Sequence, residues 1–331
     1  MENERLMNTR ETLLNSLKQG RGAWVSGQFL SEGLAMTRSA VWKQIRTLKE
    51  EGYEIEASPR KGYRLRGVPD LLLLQEIRDG LTTRVFGQAQ AFYFPQTDST
   101  NLRAGEMAAQ GAPEGTLIVA EQQTQGRGRR QRAWFSPPRQ GIYASLILRP
   151  AIAPTEAPRM TLLAAVAAAE TLLALTPLAA TIKWPNDILV RGRKIAGILT
   201  EISTGMDAVD YMVVGLGLNV NIPADDFPEE IQAQATSILA ETGAPFSRPL
   251  LLRSYLEQLE YYYDIFNTEG FDPVLQRWRA LTDMLGRRVR IDMIGRRHVG
   301  EVADFDQDGA LILRDEGGRS IRIFSGDITL L

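Results

Sequence analysis

TLIVAEQQTQGRGRRQRAWFSPPRQGIYASLILR, residues 116–149, sets a run of glycines and arginines between two apolar segments. Residues 116–121 and 142–148 are apolar and rich in β-branched side chains, the pattern of strands in a sheet. The residues between them cannot follow the strands into a core, so they form a surface loop that is free to move. Gly126, Arg127, Gly128, Arg129, Arg130 and Arg132 combine permissive backbone with fixed positive charge. Backbone N–H groups and guanidinium forks of this kind wrap phosphate oxygens, so the expected ligand is polyanionic. Taken alone, the run also suits a disordered RNA-binding tail or a solvated charge patch. Trp134 and Phe135 favour a small-molecule site, because rings beside a loop clamped between strands can stack a base or an apolar ligand.

Working outward, KWPND at 183–187 is followed by GRKIAG at 192–197 and an apolar strand at 198–202. Pro185 ends a strand at 182–184 and forces a turn that carries Asn186 and Asp187. Arg191, Gly192 and Arg193 make a hairpin turn, after which strand alternation aims Lys194 inward opposite an outward Arg193. An inward lysine in an apolar strand needs an anionic partner. Upstream, a strand at 91–95 delivers Asp98, Ser99, Thr100 and Asn101 to the start of a helix at 102–110. Hydroxyls and an amide there serve either as ordinary caps or as a site for an anion or polar ligand head. Residues 160–175 are Ala/Leu-rich all round, which predicts a buried helix. No GxxxxGK[ST] phosphate loop is present, so any nucleotide is held in another way.

Composition bounds the chemistry. The chain has 331 residues, enough for two or three domains, with 44% hydrophobic and 24% charged residues and a net charge of −2. It has no cysteine, which removes disulfides, thiolate metal sites and a cysteine nucleophile. A single histidine, His298 in the polar segment RRHVG, argues against a histidine metal cluster or a Ser-His-Asp triad. The longest apolar runs, such as 162–169, fall short of the ~20 residues of a membrane span. With no charged-then-apolar leader, a cytoplasmic location and no membrane partner are expected.

The amino-terminal segment reads as a separate module. Leu13, Leu14 and Leu17 give a short amphipathic helix at 9–18. Ser26 is placed to cap a second helix at 28–32, Gly33 to make the turn, and Thr37 to cap a third, TRSAVWKQIRTLKEEG. Val41, Ile45 and Leu48 share one face of that helix, leaving Arg38, Ser39, Lys43 and Arg46 outward. This is the helix-turn-helix pattern, and strands at 53–57 and 62–65 around residues 58–61 add a wing. Residues 1–66 hold 12 basic against 8 acidic side chains, a local +4, so the charge that phosphates attract sits with the motif. Ser39, Lys43 and Arg46 are the candidates to read DNA bases; a winged helix used only for protein contacts remains the alternative.

GRGRR, WFSP, KWPND, GRKIAG and GLGLN at 215–219, in this order and over nearly the whole chain, resemble biotin protein ligases. That family adenylates biotin and transfers it to an acceptor lysine. With the amino-terminal module, the chain is similar to the bifunctional form that also represses biotin biosynthesis genes. The resemblance implies that Ser99, Thr100 and Asn101 meet the ureido ring of biotin, with Gln123 joining them from the strand edge. It places Arg127, Gly128, Arg129 and Lys194 in the biotin site as well. Arg127, Arg129, Lys194 and Asp187 become the catalytic set, and Arg129, Trp134, Asn186 and Asn219 the nucleotide set. ATP and biotin are the implied substrates, with biotinyl-5'-AMP as intermediate and corepressor and Mg2+ on the triphosphate, whose ligands no carboxylate cluster identifies. A biotin carboxyl carrier protein supplies the acceptor lysine, and operator DNA is met as a homodimer. The family commonly has a second glycine where Gln131 stands, which bears on how the loop orders around its ligand.

The rest of the chain reads as helices at 248–266 and 271–285, then short strands at 288–293, 298–304, 310–314, 320–324 and 328–331, a small barrel of SH3-like size. The expected class is α+β: a winged helix-turn-helix at 1–66, a linker and connecting helix at 67–80 with a helix over 71–77, a ligase-type α/β domain with a mixed sheet at 81–283, and the barrel at 284–331. Two other readings stay open, a lipoate-type ligase and a transcription factor that senses a ligand without catalysis.

Overall fold

A computed structural model describes residues 2–205, 208–293 and 295–331, with side chains from residue 9 onward. The chain divides into two compact units, residues 1–70 and 71–331.

The first unit contains α1 (Glu2–Gln19), α2 (Gly27–Gly33), α3 (Arg38–Glu50), β1 (Glu54–Ser58) and β2 (Gly62–Gly67). The hydroxyls of Ser26 and Thr37 accept the N–H groups of Phe29 and Ala40 at 3.0 and 3.2 Å, so both expected caps form. Gly33, expected to make the turn, instead closes α2, and the left-handed residue of the turn is Ala35 at φ 50°. Leu13, Leu14, Leu17, Leu30, Val41, Ile45 and Leu48 form the core, and the opposite face of α3 is exposed. The β1–β2 hairpin is extended by a bridge between Val25 and Tyr63. Gly62 is obligatory there: its φ is +96°, and a Cβ would lie 2.1 Å from the Val25 carbonyl oxygen.

The second unit opens with α4 (Leu74–Arg78), later and shorter than the helix expected over 71–77. Leu72, ahead of it, is buried and donates its N–H to the Glu121 carboxylate at 2.7 Å, a bond that fixes an extended backbone in place of a helical turn. There follow β3 (Ala91–Phe94), α5 (Thr100–Ala109), β4 (Leu117–Ala120), β5 (Gly141–Leu148), α6 (Ala157–Leu175), β6 (Ala180–Lys183), β7 (Asp187–Val190), β8 (Arg193–Thr204) and β9 (Val209–Asn219). After these come α7 (Glu229–Gln232), α8 (Ile238–Thr242), α9 (Arg248–Glu269) and α10 (Asp272–Ala280). The seven strands form one mixed sheet in the order β3-β4-β5-β9-β8-β7-β6, parallel at β3–β4 and antiparallel elsewhere.

Strand alternation divides the sheet into two faces. One is covered by α6, α9 and α10, where the large core lies. The stretch Pro154–Leu175 is long and apolar enough for a membrane span, more than the 162–169 run suggested, but its α6 part packs against α9 and the sheet. Among the described residues, the other face carries α5, seated through Ala104 and Ala108 on Ile118, Ile147 and Val213. Beyond the end of α5 this face is open, and the functional cleft lies there.

The remaining strands, β10 (Arg288–Met293), β11 (Arg296–Phe305), β12 (Leu311–Arg314), β13 (Ser320–Ile323) and β14 (Asp327–Leu330), form an antiparallel sheet in the order β13-β12-β11-β10-β14. Its apolar face joins the main core through Val289, Ile291, Val302, Phe305 and Leu311.

Candidate active site

The floor of the cleft is made of two cross-strand rows. Register pairs Ser145 of β5 with Gly215 of β9, and Gly215 with Leu199 of β8; one step along, Tyr143 pairs with Gly217, and Gly217 with Gly197. The two glycines of GLGLN are there for space. A Cβ on Gly215 would lie 2.1 Å from Asn101 Oδ1, and one on Gly217 2.5 Å from the ring of Trp134. Asn101 therefore rests on the first row and Trp134 on the second.

At the Asn101 end, Ser99 takes the N-cap position of α5 yet makes no capping bond, so its hydroxyl is not spent on the helix. Ser99, Thr100 and Asn101 are all buried. Gln123, just past β4, accepts the Thr100 N–H at 2.9 Å and donates to the Ser136 hydroxyl at 3.0 Å.

The loop between β4 and β5 crosses the cleft instead of standing away from it. Gly128 donates to the Arg132 carbonyl at 2.7 Å and Trp134 to that of Gly126 at 2.9 Å, closing the loop on itself. Arg130 and Gln131 both adopt left-handed backbone, φ 54° and 60°, so the position where the resemblance leads one to expect glycine has glycine-like geometry with a glutamine in it. Arg130 and Arg132 reach Asp327 at the start of β14, at 2.9 and 2.5 Å. Arg127 and Arg129 line the cleft. Arg129 donates to Asn186 Oδ1 at 3.2 Å. Burial pushes its guanidinium below its usual pKa, while Asp187 and Asp327 pull the other way.

On the far wall, β6 ends at Lys183 and the chain turns through the cis peptide Trp184–Pro185 to Asn186 and Asp187. Asn186 is fixed by donating to the Ile198 carbonyl at 2.8 Å. The Arg191–Gly192 hairpin, both residues at positive φ, sets the register of β8, and Lys194 points to the cleft while Arg193 turns away to Glu241. Lys194 Nζ lies 2.6 Å from the Asp187 carboxylate and 5.2 Å from the Trp134 ring, so the expected anionic partner is present. The indole Nε1 of Trp134 is buried with no hydrogen-bond partner among the described residues.

A cavity of about 190 Å³ is lined by Ser99, Thr100, Asn101, Gln123, Arg127, Gly128, Arg129, Trp134, Asn186, Asp187 and Lys194. Asn219 is apart from these. It borders an adjoining cavity of about 810 Å³, which also meets Trp134 and Lys194, and its side chain donates to the Thr236 carbonyl at 3.0 Å. Sequence reasoning missed Lys183 and Asp327, which line both cavities. A lysine closing a strand gives no signal of its own, and Asp327 reaches the site only through tertiary packing. In the first unit, Ser39, Lys43 and Arg46 are exposed on α3 as expected, and Trp42 is exposed among them with Arg46 stacked 5.3 Å from its ring.

With no cysteine and its one histidine on β11, such a cleft works by positioning charge. It suits a ligase that joins a carboxylate to a nucleotide before passing the acyl group on, in a chain that also carries a DNA-binding fold. Comparison with known proteins agrees. Residues 93–219 match the biotin/lipoate A/B protein ligase family, and residues 9–64 match a helix-turn-helix domain. The chain is 41% identical to the bifunctional ligase/repressor BirA of Bacillus spizizenii over 97% of its own length and 98% of that protein. It is 32% identical to the bifunctional ligase/repressor BirA of Escherichia coli, over 89% and 90%. Among solved structures, biotin protein ligase from Aquifex aeolicus in complex with biotin and ATP superposes with a TM-score of 0.64 at 28% identity, covering 73% of this chain and 99% of that one. The chain belongs to the biotin/lipoate A/B protein ligase family and, within it, to the bifunctional ligase/repressors.

Proposed function

We propose that the chain uses ATP to convert biotin to biotinyl-5'-AMP, transfers the biotinyl group to a lysine of a biotin carboxyl carrier protein, and represses transcription through its winged helix. The observation that carries this reading is the convergence of Arg127, Arg129 and Lys194 between a buried polar pocket and the Trp134 ring.

The biotin carboxylate attacks the α-phosphorus of ATP, the bond to the bridging oxygen breaks, and pyrophosphate leaves. Negative charge gathers on phosphate oxygens, and Arg127, Arg129 and Lys194 are the cations that answer it. Ser99, Thr100, Asn101 and Gln123 hold the ureido ring, and Gly128 lets the loop backbone approach the ligand. Trp134 flanks the adenine, Asn186 orients Arg129, and Asp187 balances Lys194 and lies on the path of the acceptor lysine. In the second step that lysine's amine attacks the acyl carbon and AMP departs. The mixed anhydride is labile to water, and the loop lying across the cleft shields it. Asn219 takes a nucleotide-side role from the adjoining cavity. Magnesium arrives on the triphosphate. Asp187 and Asp327 are already engaged by cations and no three candidate ligands converge among the described residues, so no protein-held metal site is assigned.

The carboxy-terminal sheet is read as an SH3-like barrel, with boundaries at 66, 80 and 283 between the winged helix, the connecting segment, the catalytic domain and the barrel. The working form is a cytoplasmic protein that dimerises when biotinyl-5'-AMP is bound, setting two α3 helices on a palindromic operator. Incubation with biotin, ATP and magnesium should yield protein-bound biotinyl-adenylate by mass spectrometry, together with biotin-dependent ATP–pyrophosphate exchange. A chain that binds biotin but exchanges no pyrophosphate would be a sensor without catalysis.

Ser39, Lys43 and Arg46 face the operator. The double variant Lys43→Ala/Arg46→Ala is expected to lose at least tenfold in operator affinity. It should also narrow the gap between operator and non-specific DNA, because side chains that read bases carry the sequence discrimination. Unchanged binding across a salt series would assign operator contact elsewhere.

A further inference from the structure

The geometry points to Glu201 and Ser145 as specificity-determining positioning residues, which act through Asn101 to make the buried end of the cleft a set of hydrogen-bond acceptors matched to the two N–H groups of a cyclic urea. This rests on the biotin-ligase reading and extends it to residues outside the cleft lining.

Asn101 Nδ2 donates to the Leu199 carbonyl at 3.2 Å and to the Glu201 carboxylate at 2.8 Å. Both partners can only accept, so the amide nitrogen must face them and Oδ1 must face the other way. There it meets the Ser145 hydroxyl at 2.6 Å. Ser145 has one proton and a second neighbour, Thr100 Oγ1, at 2.8 Å. Asn101 Oδ1 cannot donate, so the serine proton goes to it and Thr100 must supply the proton of the second contact, or turn it to Gln123 Oε1 at 3.2 Å. Gln123 is oriented from its own far side. Its Nε2 donates to Ser136 Oγ at 3.0 Å, whose proton goes to the Trp134 carbonyl at 3.0 Å, leaving Oε1 toward Thr100.

The links through Asn101, Ser145, Gln123 and Ser136 each run in one direction, and the Thr100 proton alone has a choice of acceptor. Lone pairs of Thr100 Oγ1 and Gln123 Oε1 are what the pocket offers a ligand head. Gln123 Oε1 already accepts the Thr100 N–H at 2.9 Å, so it offers one remaining lone pair beside those of Thr100 Oγ1. A urea ring brings two N–H donors to such a surface; a dithiolane ring brings none and forgoes those bonds at a cost in affinity. Ser145 is fully buried and Asn101 nearly so, so the ordering is not blurred by solvent at the serine end. The carboxylate at the other end is exposed, but it holds the amide together with the Leu199 carbonyl.

The test uses the full chain and steady-state kinetics of biotin-dependent pyrophosphate exchange, with lipoic acid as competitor and calorimetric biotin binding as a second readout. Ser145→Ala and Glu201→Ala should each raise the KM and Kd for biotin by about tenfold, about 1.4 kcal/mol. The KM for ATP should stay within twofold, and inhibition by lipoic acid should not strengthen or weaken in parallel. Glu201→Gln should restore the biotin KM, because its carboxamide can turn its oxygen to Asn101. Biotin constants within twofold of wild type in both alanine variants would overturn the inference. So would a parallel rise in the KM for ATP and in the lipoic acid constant, which is what a merely structural lesion produces. A wild-type chain that binds no biotin would instead overturn the functional reading and this inference with it.

Discussion

Lys194→Ala is expected to slow formation of biotinyl-adenylate by about 10²–10³-fold, the usual effect of removing one preorganised group that stabilises transition-state charge. The side chain is not needed to hold β8. The Lys194 backbone donates to the Gln234 carbonyl at 2.7 Å and accepts from the Thr236 N–H at 2.9 Å, so the strand stays in register when the ammonium is gone. The loss should therefore be catalytic, with an unfolding transition close to that of wild type. It should also be concentrated in the adenylation step, because Nζ lies against Asp187 and Trp134, away from the Asn101 end. Lys194→Arg should rescue little, since a planar fork cannot replace a compact charge packed against the Gly197 backbone position, where a Cβ would already lie 3.2 Å from Nζ. Pyrophosphate exchange within threefold of wild type in Lys194→Ala would remove the lysine from the mechanism.

Glu121→Ala is expected to cost about 3–5 kcal/mol of stability and lower the melting midpoint by about 10 °C. Arg248 is fully buried at the start of α9 and pairs with Glu121 at 2.8 Å, donating also to the Gly141 carbonyl at 3.1 Å. Glu121 in turn receives the Leu72 N–H. Removing the carboxylate takes an anion from beside a buried guanidinium and the acceptor from a buried backbone donor. Restoring volume without charge, as in Glu121→Leu/Arg248→Met, should recover part of the loss, because an apolar pair has no charge to desolvate while the Leu72 N–H still lacks its acceptor. Thermal unfolding followed by circular dichroism measures both. If the single variant melted within 2 °C of wild type, the pair would not be a structural support.

Much of this arrangement is legible in local sequence. The helix caps at Ser26 and Thr37, the hairpin at Arg191–Gly192 and the inward turn of Lys194 all follow from chemistry within a few residues, and each forms. What is not legible depends on register between strands distant in sequence. Ser145, Gly215 and Leu199 become one row only because β9 lies between β5 and β8. That row decides which way the Asn101 amide points. The Asn219 side chain is directed to Thr236 by the loop after α7, which periodicity does not place. The residues ahead of α4 have a helical composition, but the buried Glu121 carboxylate claims the Leu72 amide and holds it extended.

The two sets of ion pairs around the arginine loop differ in how they answer to the medium. Glu121–Arg248 is shut away from counter-ions, whereas Arg132 and Asp327 meet water over much of their surface, 69% and 29% exposed. Dissolved electrolyte screens the second and hardly touches the first. Raising the ionic strength is therefore expected to loosen the grip of β14 on the loop while the scaffold beneath it stays as it was.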